Sequence, residues 1–188
     1  MKTAVIAHGW GGSPDEPMLK WIRSAMEAKG FSVIAPLMPH PDTPTIDDWV
    51  ACLRSVVPTP NENTYFVGHS VGCQTILRYM ETLPTSVQVG QVILVAPWIK
   101  LTVENLDAEE EESIAHSWMN TPIDFEKVKR HSHSIIGIFS TNDPFVPLEE
   151  NKHILEEKVN ARTIVLENRG HFTESDGVSS LPELLEEF

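Results

Sequence analysis

One short stretch limits the possible folds of this chain more than any other. Residues 64–67 are β-branched or aromatic, and the apolar residues of 73–83 recur at helical spacing. These patterns are typical of a buried strand followed by a helix. Between them lies Gly-His-Ser-Val-Gly, with Ser70 at its centre. A tight turn of this kind needs its flanking glycines, exposes the serine at the carboxyl end of a sheet and directs helix amides towards it.

The rest of the chain alternates predicted strands with predicted helices. Strands are predicted at residues 3–7, 31–35, 64–67, 91–96, 134–140 and 162–166, and helices at 16–29, 45–57, 73–83, 125–130, 148–159 and 181–188. This alternation predicts an α/β fold, a three-layer sandwich around a mostly parallel sheet of about six strands. Ligands of such sheets bind at the carboxyl ends of the strands.

The length predicts one domain over residues 1–188, because a chain of this size forms one compact core. Residues 97–124 break the alternation and are the candidate cap or lid. Their acidic run, residues 107–112, is typical of the solvated first turn of a helix, although a role at the site stays open. The segment also contains two tryptophans, Trp98 and Trp118. Each could lie in the core or line a substrate pocket, and the sequence pattern does not decide between these two locations.

Charge and composition exclude several classes of partner. The formal net charge of −13 argues against nucleic acid and against anionic membrane surfaces. The first residues lack the features of a signal peptide, and no run approaches the roughly 20 apolar residues of a membrane-spanning helix. Cys52 and Cys73 provide no disulfide framework, although a single bridge stays open. We therefore expect a cytoplasmic protein.

A serine hydroxyl becomes a good nucleophile only when an imidazole takes its proton and an acid orients that imidazole. Asp143 follows the fifth predicted strand and His171 follows the sixth, at the same end of the sheet as Ser70. We therefore predict these three as the catalytic residues. Three other carboxylates stay open as the acid, namely Asp124, Glu174 and Asp176.

Two backbone amides are candidates for an oxyanion hole, which needs two N–H donors facing the same point. Val71 follows the serine directly, and Trp10 lies in the glycine-rich loop after the first predicted strand. Both loops belong to the carboxyl edge of the sheet. We therefore predict these two N–H groups as the donors.

Four motifs occur in order: His8-Gly-Trp-Gly11, Gly68-His-Ser-Val-Gly72, Asp143-Pro-Phe-Val-Pro147 and Gly170-His-Phe172. They resemble the α/β-hydrolase superfamily and, given the short chain, the small serine hydrolases grouped with YdeN and retinoblastoma-binding protein nine. The resemblance implies a Ser-Asp-His hydrolase without a cofactor, acting on small ester, thioester or amide substrates. It does not imply retinoblastoma binding, because the chain has no Leu-x-Cys-x-Glu motif.

Other reactive side chains receive structural interpretations. His69 should point away from Ser70 across the turn, His8 should shape its loop, and Cys73 should pack in the core. No metal site is expected, because the spacing of the remaining histidines is unlike that of zinc ligands: His116, His131, His133 and His153. The sequence thus favours a serine esterase working through an acyl-enzyme. An aminopeptidase or amidase with the same triad, and a binding module without turnover, stay open.

Overall fold

The computed structural model describes residues 1–106 and 108–188; Asp107, in the acidic run, lies outside the described residues. The strands are β1 (Thr3–Ala7), β2 (Ser32–Ile34), β3 (Thr64–His69), β4 (Val92–Val95), β5 (Ile135–Ser140) and β6 (Arg162–Leu166). The helices are α1 (Pro17–Ala28), α2 (Ile46–Val56), α3 (Val71–Glu81), α4 (Glu109–Asn120), α5 (Phe125–Arg130), α6 (Leu148–Val159) and α7 (Pro182–Leu185). Short 3-10 turns lie at Val103–Asn105 and Glu174–Asp176.

The strands form one six-stranded sheet in the order β2-β1-β3-β4-β5-β6. Every neighbouring pair is parallel, so the predicted fold class is confirmed and the sheet is more regular than expected. β3 lies between β1 and β4, with Ala7 paired to Gly68 and His69 paired to Val95. This order brings the loops after β1 and β4 to either side of Ser70.

Two apolar clusters, one on each face of the sheet, form the core. Along β1, Val5 packs on one face and Ile6 on the other, as the period-two geometry of a strand requires. The Val5 face is covered by α2, α3 and α6, and the Ile6 face by α1 and α7. These are the three layers that the sequence predicts.

The boundaries of several elements differ from the predicted ones. α3 begins at Val71, directly after Ser70, rather than at Cys73, and α7 spans only four residues. α2 begins as predicted, with the hydroxyl of Thr45 accepting a hydrogen bond from the Asp48 amide at 3.2 Å. No helix within residues 1–106 and 108–188 is both long enough and apolar enough to span a bilayer.

The segment that breaks the alternation contains a 3-10 turn and α4. The first turn of α4 is formed by Glu109, Glu110, Glu111 and Glu112. Carboxylates at this position interact favourably with the helix dipole, so this part of the acidic run has the predicted structure. Two side chains of α4, Ala115 and Trp118, are buried against the body of the protein.

Candidate active site

Ser70, Asp143 and His171 follow β3, β5 and β6 and meet at the carboxyl edge of the sheet. Ser70 Oγ lies 2.9 Å from His171 Nε2, and His171 Nδ1 lies 2.8 Å from Asp143 Oδ2. The sequence prediction that these three side chains lie together agrees with this geometry. The side chain of Asp143 is only 2% exposed, while that of His171 is 13% exposed. The chain of hydrogen bonds therefore starts inside the protein and ends at Ser70, which is 7% exposed and lines the cavity described below.

The turn at Ser70 has the strained geometry expected between a strand and a helix. Ser70 has φ 54° and ψ −123°, a region that residues with a side chain rarely adopt. A Cβ at position 68 would lie 2.8 Å from the backbone of Cys73, and one at position 72 would lie 2.4 Å from Ala7 O. Both flanking positions therefore require glycine, and Gly72 lets α3 pack directly against the end of β1.

The loop after β5 orients the carboxylate of Asp143 so that one of its oxygens faces His171. Asp143 Oδ1 accepts hydrogen bonds from the amides of Phe145 and Val146, at 2.9 and 3.1 Å. Asp143 Oδ2 is thereby turned towards His171 Nδ1. Because a carboxylate only accepts, Nδ1 carries the ring proton and Nε2 presents its lone pair to Ser70. The imidazole is thus in the tautomer that can take a proton from the hydroxyl.

The other carboxylates that the sequence left open do not contact the imidazole ring of His171. Asp124 is the N-cap of α5 and accepts a hydrogen bond from the Lys127 amide at 3.1 Å. Glu174 lies in an exposed 3-10 turn. Asp176 binds the backbone amide of His171, at 2.9 Å. Asp143 is the acid that the geometry pairs with the ring.

A cavity of about 300 Å³ opens at Ser70 and His171. Most of its remaining wall is apolar, and two carboxylates also contribute. The wall comes from the loops after β1, β2 and β5 and from the 97–124 segment, which follows β4. Besides Ser70 and His171, the lining residues are Trp10, Gly11, Asp42, Trp98, Leu101, Leu106, Glu111 and Phe145.

The serine hydrolase family model matches residues 4–188 of this chain. The chain belongs to the serine hydrolase family. YdeN from Bacillus subtilis is 32% identical over 96% of this chain and 91% of its own length. The serine hydrolase RBBP9 from Rattus norvegicus is 30% identical over 92% of this chain and 82% of its own length. The resemblance that the four motifs indicate is therefore confirmed.

Solved structures agree on the fold of this serine hydrolase. The crystal structure of YdeN superposes with a TM-score of 0.88, covering 99% of this chain and 96% of that one at 28% identity. Est1E from Butyrivibrio proteoclasticus, solved with ferulic acid, gives a TM-score of 0.72 at 14% identity, covering 99% and 89%. At that identity the second likeness concerns the fold alone.

The two tryptophans that the sequence left undecided have different surroundings in the hydrolase. Trp98 lines the cavity, and its indole Nε1 lies 3.3 Å from Ser70 Oγ. Trp118 is equally buried, but its Nε1 donates to Pro44 O at 3.0 Å and its ring packs on Trp49. Trp118 thus belongs to the core, and the contact of Trp98 with Ser70 is a feature that the sequence reasoning missed.

The two amides predicted for an oxyanion hole lie beside the serine hydrolase cavity. Trp10 is part of the cavity wall, and its indole is held by Asp42 O at 2.9 Å. Val71 is the first residue of α3, where helix N–H groups have no intrahelical acceptor. Neither amide donates to another backbone group within the described residues. Both amides therefore stay candidates for the oxyanion hole.

The backbone of His171 is held from both sides by residues that the sequence reasoning did not assign to it. The Asp176 carboxylate accepts the His171 amide and the Thr173 amide and hydroxyl. Burial alone would raise the pKa of Asp176, but these hydrogen bonds outweigh it and lower that pKa. The Thr-x-x-Asp spacing of a capping box could have indicated the contact between Asp176 and Thr173, but not the one with the His171 amide.

His69 holds the other side of His171. Its Nε2 lies 2.8 Å from the carbonyl oxygen of His171, so that nitrogen carries the proton and donates it. Burial, with the neighbouring His171 ring, lowers the pKa of His69 to about 4. His69 is therefore neutral and points away from the serine hydroxyl, in agreement with the sequence prediction.

His8 and Cys73 have the structural surroundings predicted for them. His8 Nδ1 donates to Gly9 O at 2.7 Å and its Nε2 accepts the Met38 amide at 2.9 Å, so the ring bridges two loops. Burial lowers the pKa of His8. The Cys73 thiol is buried and donates to Val95 O, and burial raises its pKa. Both cysteines are free.

Proposed function

We propose that this serine hydrolase cleaves small ester or thioester substrates through an acyl-enzyme. One observation carries the proposal, namely the unbroken series of hydrogen bonds from Asp143 through His171 to Ser70, which ends in a cavity. A serine in such a series can lose its proton as it attacks a carbonyl carbon. Membership in the serine hydrolase family supports this use of the site.

In the first half of the reaction, Ser70 Oγ attacks the carbonyl carbon while its proton moves to His171 Nε2. Asp143 holds the imidazolium that forms, through the hydrogen bond to Nδ1. The carbonyl oxygen becomes an oxyanion between the amides of Trp10 and Val71. Losing one such donor typically costs about 3 to 4 kcal/mol of transition-state stabilisation. Collapse of this intermediate expels an alcohol or thiol, which takes the proton from His171.

In the second half, a water molecule attacks the acyl-enzyme at the same carbonyl carbon. His171 Nε2 takes a proton from that water, and the oxyanion forms again between the two amides. When the second intermediate collapses, Ser70 Oγ leaves and recovers its proton from His171. The acid product then departs, and the hydrogen bonds of the resting site are restored.

The cavity supports a small and mainly apolar acyl group. Its volume of about 300 Å³ is at the lower end of ligand pockets, which typically measure about 300 to 1,000 Å³. Leu101 and Leu106 bring apolar surface from the 97–124 segment, and Phe145 adds apolar surface from the loop after β5. We therefore assign that segment the role of a small cap whose side chains select the acyl group.

A fluorophosphonate probe tests the proposed nucleophile, because it phosphonylates an activated serine without requiring knowledge of the substrate. We expect a single adduct on Ser70, located by peptide mass spectrometry, and no adduct on the Ser70→Ala variant. An intact, folded protein that never reacts would overturn the proposal and favour a binding module.

A panel of chromogenic substrates tests the bond that is cleaved. Esters and thioesters of two to eight carbons are compared with aminoacyl amides, using the Ser70→Ala protein as the blank. We expect larger kcat/KM values for the short esters and thioesters. Faster turnover of the amides would replace this proposal with an aminopeptidase or amidase that uses the same residues.

A further inference from the structure

The indole of Trp98 donates a hydrogen bond to the oxygen of the proposed nucleophile. Trp98 Nε1 lies 3.3 Å from Ser70 Oγ, and Trp98 is 1% exposed. The same oxygen lies 2.9 Å from His171 Nε2. An indole N–H can only donate, so Ser70 accepts from Trp98 and keeps its own proton for His171. The contact therefore fixes the direction in which the hydroxyl proton points.

The backbone that carries Trp98 is shaped for this contact. Val95 ends β4, and its carbonyl accepts the Ser70 amide at 2.9 Å, which ties the two strand ends together. The next residue, Ala96, has φ 48°, a conformation that residues with a Cβ seldom adopt. Ser70 itself has φ 54°. Two strained residues at the ends of neighbouring strands thus direct one indole and one hydroxyl towards each other.

The hydrogen bond gains strength when the oxygen gains charge. As the hydroxyl proton moves to His171, negative charge develops on Ser70 Oγ, and a hydrogen bond to a charged acceptor is stronger than one to a neutral acceptor. The same charge develops when Oγ leaves in deacylation. Because both partners are buried, the bond is poorly screened by water.

We propose that Trp98 is a catalytic residue whose indole N–H stabilises Ser70 Oγ as that oxygen becomes negative. The proposal rests on the proposed role of Ser70 as the nucleophile. This role differs from lining the pocket. A lining residue contributes shape to substrate binding, whereas the Trp98 N–H contacts the reacting oxygen itself. The two roles predict different changes in the kinetics.

The rate of fluorophosphonate labelling tests the donor directly. In this step the Ser70 O–H bond breaks, an O–P bond forms, fluoride leaves and His171 takes the proton. We expect Trp98→Phe to label about ten- to a hundredfold more slowly than the unaltered protein, as the loss of a hydrogen bond to a charged group predicts. With a short-chain nitrophenyl ester, we expect kcat to fall by a similar factor while KM changes less than about twofold.

Trp118→Phe is the matched control. It removes another fully buried indole N–H, which donates to Pro44 O rather than to the serine. We expect it to label at nearly the unaltered rate. An equal loss in both variants would mean that packing, and not the hydrogen bond to Ser70, is responsible, and would overturn the proposal.

An isosteric replacement separates the donor from the shape of the ring. Substituting Trp98 by β-(3-benzothienyl)alanine replaces N–H by sulfur and keeps the ring size, so the test holds even if Trp98→Phe fails to fold. We expect the same slow labelling as in Trp98→Phe. Labelling of this variant at the rate of the unaltered protein would overturn the role of Trp98 alone, whereas no labelling of the unaltered protein would overturn the proposed function.

Discussion

The strongest pH effect that we expect from a single residue comes from His69, directly before the serine. Its Nε2–H donates to the His171 carbonyl, and its Nδ1 has no hydrogen-bond partner within the described residues. Burial and the nearby rings of His171 and His8 lower its pKa to about 4, against the opposing effects of the hydrogen bond to His171 and of Asp143. A second proton would therefore have to sit on a buried nitrogen that lacks an acceptor.

The size of this effect on the free energy of unfolding follows from the difference between the pKa of His69 in the folded and in the unfolded protein. In the unfolded chain the ring takes up a proton near pH 6.5, whereas in the folded protein it does so only near pH 4. Between these values the unfolded state binds more protons, so the free energy of unfolding decreases as the pH falls. The loss from His69 is about 2 kcal/mol at pH 5 and about 3 kcal/mol at pH 4.

His69→Gln isolates this loss, because a glutamine amide can still donate to the His171 carbonyl but does not titrate. Urea unfolding followed by tryptophan fluorescence should be measured for both proteins at pH 7 and at pH 5. We expect the unaltered protein to lose about 2 kcal/mol more than the variant over this interval. Equal losses in the two proteins would refute the reasoning, since every other titrating group is common to both.

Four further substitutions test the site and its supports. Ser70→Ala and His171→Ala should each abolish most ester turnover, and the double variant should be little slower than either, because the two act as a unit; losses that multiply would contradict this. Gly72→Ala should lower the free energy of unfolding in urea by about 1 to 3 kcal/mol, because its Cβ would meet Ala7 O at 2.4 Å; an unchanged midpoint would contradict the packing argument. Arg78→Met should cost about 2 to 3 kcal/mol in the same assay, because two carbonyls at the end of α4 lose a charged donor; a neutral result would show that water replaces it.

The fold and the three residues of the hydrogen-bonded series could be predicted from the sequence because each depends on a local pattern. Short apolar runs that alternate with segments of helical periodicity indicate parallel strands joined by helices. The carboxyl ends of parallel strands lie at the same edge of the sheet. Ser70 follows such a run directly, and Asp143 and His171 lie in the loops after two other runs. Their proximity is therefore a consequence of the topology, and no long-range contact had to be guessed.

The contacts that support these residues could not be predicted in the same way. The sequence left Asp176 as an alternative to Asp143 for the acid that orients the His171 ring. In the structure Asp176 instead binds the backbone amide of His171, because the loop after β6 folds back on itself. The direction of the Trp98 indole depends on the positive φ of Ala96, which no residue preference indicates for alanine. Such features depend on how loops pack on one another, and the pattern of residues along the sequence does not predict that packing.

Two buried side chains of the main body hold the two ends of the 97–124 segment. Asn151, fully buried in α6, accepts the amides of Ile99 and Lys100 at 2.7 and 2.9 Å and so anchors the start of the segment. Arg78, buried in the helix that follows Ser70, donates to the carbonyls of Trp118 and Thr121 and anchors its end.

Between these anchors lie the residues that the segment contributes to the cavity wall beyond Trp98: Leu101, Leu106 and Glu111. The two leucines have apolar side chains and therefore make no side-chain hydrogen bond to the series from Asp143 to Ser70. We therefore expect changes in this part of the wall to alter the space for the proposed acyl group without displacing Ser70 or His171. Both anchors hold the ends of the segment to helices of the main body, so we expect substitutions of Leu101 or Leu106 to change the pocket shape more than the reactivity of Ser70.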